Sequence, residues 1–418
     1  MAYWFSEVID QAIDAIYYNY DVEKAHKAFE TLKAEANKGN ADAIYLLSRC
    51  YAGGCYTWRY FNFPEDDDLV ERYIHQSILG GSAMGVLGAM RVGLLTPELK
   101  QRMPFNSLKE AWDIVYEKAE AGCAFCQNMI GNTYYWLDII EIMEIDAHEF
   151  GTQQNWLKYL GDQMLKSLPW YEKAYRNGMG FAIRNMVKLY REGEDQLLLP
   201  QPEKALPLIE QGARMGYPEW MEEYGECLLS IKGREQEGLE WAKRAGEAGN
   251  KNAWYDVAMA YMKGVIVPKD LKKALECAEK GLGHPYDACC CLVAGQLYFE
   301  GQGGIAQNYM RSVSLFERAK NQGDTWCNDY LAVCYTMGWG CAQDTSKAIR
   351  LMNEADYNSK LTNFAWGMMY TEGWGVQQDI AKGIQHLKKS EKEYLPAQEQ
   401  LQKFKRTWYG KWVRKTQA

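Results

Sequence analysis

The chain has 418 residues, of which 47% are hydrophobic, and its formal net charge is −8 at pH 7. This hydrophobic content is ample for a continuous core and excludes a disordered protein. The negative charge argues against a nucleic-acid binder, because neutralising phosphates requires clustered Lys and Arg. The first residues, MAYWFSEVIDQAIDAIYY, lack the features of a secretory signal, and no apolar run is long enough to span a membrane. We therefore expect a cytoplasmic protein with reduced cysteines and no transmembrane segment.

Residues 1–40 are predicted to form N-terminal capping helices, and a repeated pattern follows. Its marker is an aromatic position at the end of a helix A, with a glycine three residues later in most copies, as in Tyr51 and Gly54. Small residues lie eight and three positions before the marker, so they share one helical face and let a neighbouring helix approach. The pattern predicts about nine repeats, whose marker positions are Tyr51, Arg91, Tyr134, Tyr190, Leu228, Tyr261, Tyr298, Tyr335 and Tyr370.

A second helix, helix B, is predicted after each glycine loop. Asp270, Asp344 and Asp379 are expected to cap helices B, because a carboxylate can accept a hydrogen bond from an unpaired helical N–H. Glycines are expected to end the helices B, since glycine tolerates the left-handed conformation of a helix end; they are Gly178, Gly216, Gly249, Gly283 and Gly323. One helix pair cannot bury its apolar face alone, so the pairs are predicted to stack as an all-α solenoid over residues 41–395.

The segments YTMGWGCAQDTSKAIRLMNEA and YTEGWGVQQDIAKGIQHLKKS resemble Sel-one-like repeats, a branch of the tetratricopeptide-like helical repeats. The match is best over roughly residues 250–395 and loosest in the second, third and fifth repeats. The resemblance implies a right-handed superhelix whose helices A line a concave surface. It also implies an adaptor or scaffold for protein complexes, although a fold alone does not identify the partner.

Helix A of the fifth repeat, PEWMEEYGEC, carries four carboxylates on one predicted face: Glu219, Glu222, Glu223 and Glu226. Arg184 and Lys188 occupy the matching positions of the fourth repeat. This acidic face is a candidate site for a basic partner. The alternative is a solvated face whose salt bridges reach the fourth repeat.

Aromatic side chains supply two further candidate sites. Tyr255, Trp326, Tyr330 and Phe364 are predicted to face outward from helices A, where they could anchor a partner. The alternative is burial between adjacent repeats. Tyr56 and Trp58 belong to a long aromatic loop in the first repeat, which either folds over the groove to grip a ligand or packs as a cap.

The C-terminal residues 396–418 are predicted to form a basic capping helix or tail. The stretch has lysines and arginines from Lys403 to Lys415, with Trp408, Tyr409 and Trp412 between them. An anionic membrane surface could bind such a tail, although a polar cap for the solenoid also explains it.

The sequence shows no catalytic motif and no metal-ligand spacing, so we expect neither an enzyme nor a cofactor. Cys123 and Cys126 form a CxxC pair without a second pair, and buried thiols suffice to explain them. We predict an interaction scaffold that binds a protein or peptide along its concave face, and in a sharper version one dedicated partner, as for an immunity protein or chaperone. The alternatives are an enzyme or ligand binder with a site in the groove, and a membrane-surface adaptor that uses the basic tail.

Overall fold

The structure of the protein is a computed structural model. It describes residues 3–194, 197–355, 359–408 and 410–415, apart from the side chain of Cys55. The chain divides into two compact units, Met1–Cys227 (unit 1) and Leu228–Ala418 (unit 2). The domain boundaries expected at residues 40 and 395 stay predictions. None of the helices in the described residues is both long and apolar enough to cross a membrane.

Unit 1 is built from helices that run in chain order. Their bounds are α1 (Glu7–Ile13), α2 (Val22–Asn37), α3 (Ala41–Tyr51), α4 (Asp67–Leu79), α5 (Ala83–Arg91), α6 (Pro97–Arg102), α7 (Leu108–Glu120), α8 (Ala124–Tyr135), α9 (Asp138–Ile142), α10 (Gln153–Leu165), α11 (Ser167–Arg176), α12 (Ile183–Glu192), α13 (Pro202–Arg214) and α14 (Pro218–Leu229), the last of which ends just beyond the boundary. A π-helix, Asp14–Tyr18, joins α1 to the segment before α2. Helices α3, α5, α8, α12 and α14 are the predicted helices A.

Unit 2 continues the same alternation of helices A and B. Its elements are α15 (Glu235–Glu247), α16 (Trp254–Lys263), α17 (Leu271–Lys280), α18 (Ala288–Glu300), α19 (Tyr309–Asn321), α20 (Asn328–Met337), α21 (Thr345–Glu354), α22 (Lys360–Glu372), α23 (Ile380–Ser390), α24 (Leu395–Leu401), β1 (Phe404–Arg406) and β2 (Trp412–Arg414). Buried side chains from these helices form one continuous hydrophobic core. Every predicted marker position lies in a helix, so the α/α solenoid is confirmed, whereas the number of repeats stays a prediction.

The predicted helix ends agree with the structure. The carboxylates of Asp270, Asp344 and Asp379 accept hydrogen bonds from backbone N–H groups three residues later, at 3.1, 2.8 and 2.9 Å. Each carboxylate thereby pairs one of the N–H groups that a helix leaves unsatisfied at its start. The predicted glycine stops all have positive φ angles, from 88° at Gly323 to 105° at Gly249.

Glycine at the small position of helix A explains how the two helices of a pair pack closely. A Cβ on Gly131 of α8 would lie 2.6 Å from Cε1 of Tyr171 in α11. A Cβ on Gly295 of α18 would lie 2.7 Å from Cε1 of Phe316 in α19. These distances are too short for a real contact, so the ring of helix B fills the space that the glycine leaves.

The C-terminal region differs from the expected capping helix. Helix α24 ends at Leu401, and β1 pairs antiparallel with β2, with Lys405 opposite Val413. The turn between the strands contains Gly410, whose φ of +88° favours glycine. The expected residue Tyr409 and residues 416–418 lie outside the described residues.

Candidate functional site

The first loop, residues 53–66, folds onto the segment that leads into α14. The indole of Trp58 stacks on Tyr217 with ring centroids 5.1 Å apart, and it meets the ring edges of Phe181 and Tyr20 at 5.2 and 5.7 Å. Only 1% of Trp58 is exposed. The expectation that Trp58 contacts a partner is therefore corrected, because its indole is enclosed by aromatic side chains of unit 1.

The same loop engages the predicted acidic face of α14. The backbone N–H of Arg59 donates to Glu219 at 2.9 Å, and the Tyr60 hydroxyl donates to Glu222 at 3.4 Å. Burial raises the pKa of Glu219, while nearby Arg184 and Arg59 act in the opposite direction. Glu219 and Glu222 therefore accept hydrogen bonds from donors of the chain itself.

The remaining carboxylates of α14 lie toward the fourth repeat. Glu223 forms an ion pair with Arg191 of α12, whereas Glu226 is exposed. The interpretation of a face with salt bridges to the fourth repeat fits this arrangement. The acidic face is therefore not an open surface for a basic partner, because Glu219, Glu222 and Glu223 already have partners in unit 1.

Arg184, Lys188 and Tyr56 come together in unit 1, as part of the lining of one pocket. The guanidinium of Arg184 donates to the carbonyl oxygen of Gly54 at 3.3 Å. The ammonium of Lys188 lies 4.9 Å from the centre of the Trp136 ring. The sequence placed Tyr56 in the first repeat and both Arg184 and Lys188 in the fourth, and it gave no indication that the three residues share a pocket.

Two of the predicted outward aromatics in unit 2 are partly or fully buried. Phe364 is 0% exposed, and its ring meets that of Tyr394 at 5.0 Å. Tyr330 is half-buried between Phe299 and Phe316, with ring centroids 5.1 and 4.8 Å away. The expectation that Phe364 contacts a partner is corrected, because the ring belongs to the core of unit 2.

Tyr255 and Trp326 remain accessible and lie in an acidic setting. The indole of Trp326 is 83% exposed, and its backbone N–H donates to the carboxylate of Asp324 at 2.7 Å. Burial raises the pKa of Tyr255, and the exposed thiol of Cys289 and the carboxylates of Asp256 and Asp324 raise it further. These five residues are neighbours in unit 2 and form what we call the aromatic–acidic patch.

Sequence reasoning missed Asp324 and Cys289 in this patch. Asp324 lies just before α20, two residues ahead of Trp326, so a search restricted to helical positions passes over it. Cys289 adjoins the buried Cys290 and Cys291, and nothing in this run of three cysteines distinguishes the exposed thiol from the buried ones. The signal available in the sequence was Asp324, an acid two residues before Trp326, shortly ahead of α20.

Among the described residues, no three His, Cys, Asp or Glu side chains are grouped so that they could hold a metal ion. Cys123 and Cys126 are buried free thiols that interact with each other. A hydrogen bond with Cys126 lowers the pKa of Cys123, whereas burial raises that of Cys126. They match the interpretation of buried thiols made from the sequence.

The family model named Sel1 repeat matches residues 164–179, 213–250, 253–282, 288–324, 328–355 and 362–393. The chain is a Sel1-repeat protein. Such proteins generally mediate protein–protein interactions, and the family is typically non-enzymatic. No curated protein matches the chain.

Several solved structures are similar to this Sel1-repeat protein. A protective antigen of uropathogenic Escherichia coli with an SLR fold is 18% identical, covers 92% of this chain and 82% of its own, and has a TM-score of 0.47. A Sel1 repeat protein from Oxalobacter formigenes is 16% identical, covers 96% of both chains, and has a TM-score of 0.45. An immunity protein from Pseudomonas aeruginosa is 18% identical, covers 54% of this chain and 73% of its own, and has a TM-score of 0.32. At these scores the likeness transfers no function.

Proposed function

We propose that this Sel1-repeat protein is an interaction scaffold that binds a basic segment of one partner protein at the aromatic–acidic patch. The observation that carries the proposal is the exposed indole of Trp326, a residue whose backbone N–H donates to the carboxylate of Asp324. A tryptophan side chain buries a large area on binding, which makes an isolated exposed indole a favourable anchor for a partner.

The chemistry of the patch favours a basic partner. A Lys or Arg of the partner over the Trp326 ring would gain about 0.5–2 kcal/mol, depending on how completely the pair is desolvated. Asp256 and Asp324 raise the pKa of the Cys289 thiol in addition to the effect of burial, so their negative charge extends over the patch. Complementary charge of this kind speeds association and selects between partners.

The make-up of the patch favours one dedicated partner. Asp324 and Trp326 belong to the segment before α20, whereas Cys289 lies in α18, close enough for Asp324 to raise the pKa of its thiol. The first loop already contacts the acidic face of α14. A fixed, non-repeating surface of this kind suits one partner, as in an adaptor, chaperone or immunity role, better than many.

The test is capture of partner proteins by the tagged full-length chain, followed by affinity measurement with the purified partner. We compare the wild type with Trp326→Ala and Asp324→Asn, and with Trp408→Ala as a matched control, because Trp408 is 96% exposed. The proposal expects both patch variants to weaken binding, by about tenfold for Trp326→Ala, and the control to bind like the wild type. Equal binding by all four proteins would place the partner site elsewhere.

A second comparison separates the patch from the basic tail. If Trp408→Ala abolishes binding while Trp326→Ala leaves it intact, the C-terminal hairpin is the binding element. Cosedimentation of the same variants with anionic vesicles then tests the membrane-surface alternative directly. If Trp408→Ala no longer cosediments with the vesicles and no protein partner is captured, a membrane-surface adaptor would replace the scaffold proposal.

A further inference from the structure

One pocket of unit 1 is lined by all five of its helices A, and its volume is about 490 Å³. This is within the usual range of pockets for small ligands, about 300–1,000 Å³. Its lining includes five cationic side chains, Arg49, Arg91, Arg184, Lys188 and Arg191. Glu192 and Glu223 supply negative charge, so the lining has an excess of three positive charges.

Nearby carboxylates compensate these cations only in part, with Asp138 near Arg91 and Glu219 near Arg184. Arg191 pairs with Glu223, but in the part of the chain that the structure describes none of the other four forms an ion pair. Burial lowers the pKa of Arg91, and the charge of Arg49 lowers it further, while Asp138 opposes the change. Like charges held this close destabilise the fold unless something compensates them.

Aromatic rings hold the cations in place without neutralising them. The guanidinium of Arg91 lies 3.5 Å from the centre of the Trp136 ring, which Lys188 approaches at 4.9 Å. The guanidinium of Arg49 lies 3.6 Å from the centre of the Tyr56 ring. A cation over a ring keeps its full charge and its donors, so these groups are ordered and still able to bind an anion.

The pocket also contains buried polar atoms that have no hydrogen-bond partner within the described chain. Nε of Arg49, Nε1 of Trp220 and Oδ1 of Asn128 are shielded from solvent and have no hydrogen-bond partner among the described residues. All three residues line the pocket, and Trp220 and Asn128 are more than nine-tenths buried. Two of the three atoms belong to N–H donors, and Asn128 can also turn its amide to donate. Buried donors without acceptors are rare and call for an acceptor-rich ligand.

We propose that this pocket binds a small polyanion that carries at least two phosphate or carboxylate groups. Guanidinium groups bind both kinds of oxyanion through paired N–H donors. The excess of three positive charges among the lining residues favours a ligand with more than one negative group, and a volume of about 490 Å³ admits a compact molecule. This site uses unit 1 and does not depend on the proposed partner patch of unit 2.

Isothermal titration calorimetry on the full chain at low ionic strength tests the proposal. Inorganic pyrophosphate and citrate are the probes, and acetate at matched ionic strength is the control. The wild type should bind pyrophosphate, citrate or both with one-to-one stoichiometry and should not bind acetate. The two probes distinguish a phosphate ligand from a carboxylate ligand. Absence of saturable binding for both probes overturns the proposal.

The variants Lys188→Gln and Arg91→Gln remove pocket charges, and Arg176→Gln removes an exposed cation that does not line the pocket. Each pocket variant should weaken binding about tenfold or more, and Arg176→Gln should leave it unchanged. Lys188 is exposed, so its variant keeps the test valid if Arg91→Gln fails to fold. An equal loss in Arg176→Gln would show non-specific charge attraction and would overturn the site.

A third probe, a hexaglutamate peptide, checks the size of the ligand. Because the pocket is compact, the peptide should bind no more tightly than the small anions. Tighter peptide binding with the same dependence on Lys188 would show that an acidic protein segment is the occupant, and would overturn the small-molecule proposal.

Discussion

Trp58 and Tyr217 stack with their ring centroids 5.1 Å apart and their planes inclined by 17°. Trp58 belongs to the first loop, whereas Tyr217 immediately precedes α14. The hydroxyl of Tyr217 also donates to the carbonyl oxygen of Tyr18 at 3.2 Å. The beginning and the end of unit 1 are therefore joined by direct contacts, which a simple stack of repeats would not have.

Replacing Trp58 by alanine should destabilise unit 1 strongly. The change removes the Tyr217 stack and the contacts with Phe181 and Tyr20, and it leaves a large cavity in a closed environment. We expect the free energy of unfolding to fall by about 3–5 kcal/mol. Urea unfolding followed by far-UV circular dichroism measures the change. Trp326→Ala is the control and should stay within about 0.5 kcal/mol of the wild type, because its indole is exposed. Similar losses for both variants would contradict the docked loop.

The docking of the first loop shows where sequence reasoning stops. The repeat pattern predicted the helices A, the aspartate caps and the glycine stops, because each depends on residues a few positions apart. The contact of Arg59 with Glu219 depends on how the intervening repeats curve and stack. No local pattern encodes that curvature, so the sequence left open whether the loop folds over the groove.

Gly295→Ala should destabilise unit 2. The new Cβ would lie 2.7 Å from Cε1 of Phe316, whose ring is fully buried and has no free space into which to move. Overpacking of this kind costs about 1–3 kcal/mol, which exceeds the gain of about 1 kcal/mol from the higher helix propensity of alanine. Chemical denaturation measures the net loss.

The double variant Gly295→Ala, Phe316→Leu separates a steric clash from a general defect. Leucine is smaller than phenylalanine, so it should relieve the clash, and the double variant should lose less stability than the two single variants added together. Simple additivity would show that the glycine has another role.

The ion pair between Arg191 and Glu223 should contribute little to stability. Arg191 is exposed and Glu223 is only partly buried, so water and salt screen their attraction. A double-mutant cycle with Arg191→Gln and Glu223→Gln should give a coupling energy of about 0.2–1 kcal/mol that falls as salt is added. A coupling above about 2 kcal/mol would instead identify the pair as a strong link between α12 and α14.

The cationic pocket illustrates a second limit of the sequence. Arg49, Arg91 and Lys188 each look like an ordinary basic residue near the end of a helix A, and only stacking brings them around one volume. The acidic face of α14 could be predicted because its residues lie close together in the sequence. Residues that are close in sequence can be recognised as one face of a helix. The residues of the pocket come from five helices, so no local pattern in the sequence links them.

Asp138 should make the stability of unit 1 fall as pH rises. Burial raises the pKa of its carboxyl to about 7, although Arg91 opposes the change. The folded chain therefore keeps a proton between about pH 4 and 7 that the unfolded chain releases, so the unfolded state binds fewer protons and stability decreases through that window. Asp138→Asn cannot ionise, so its stability relative to the wild type should increase by roughly 2–3 kcal/mol between pH 5 and pH 8. Urea unfolding of both proteins at the two pH values measures this difference, and the effects of all other titrating groups cancel in it. A constant difference would show that Asp138 is already ionised at pH 5 in the folded protein, with Arg91 outweighing burial.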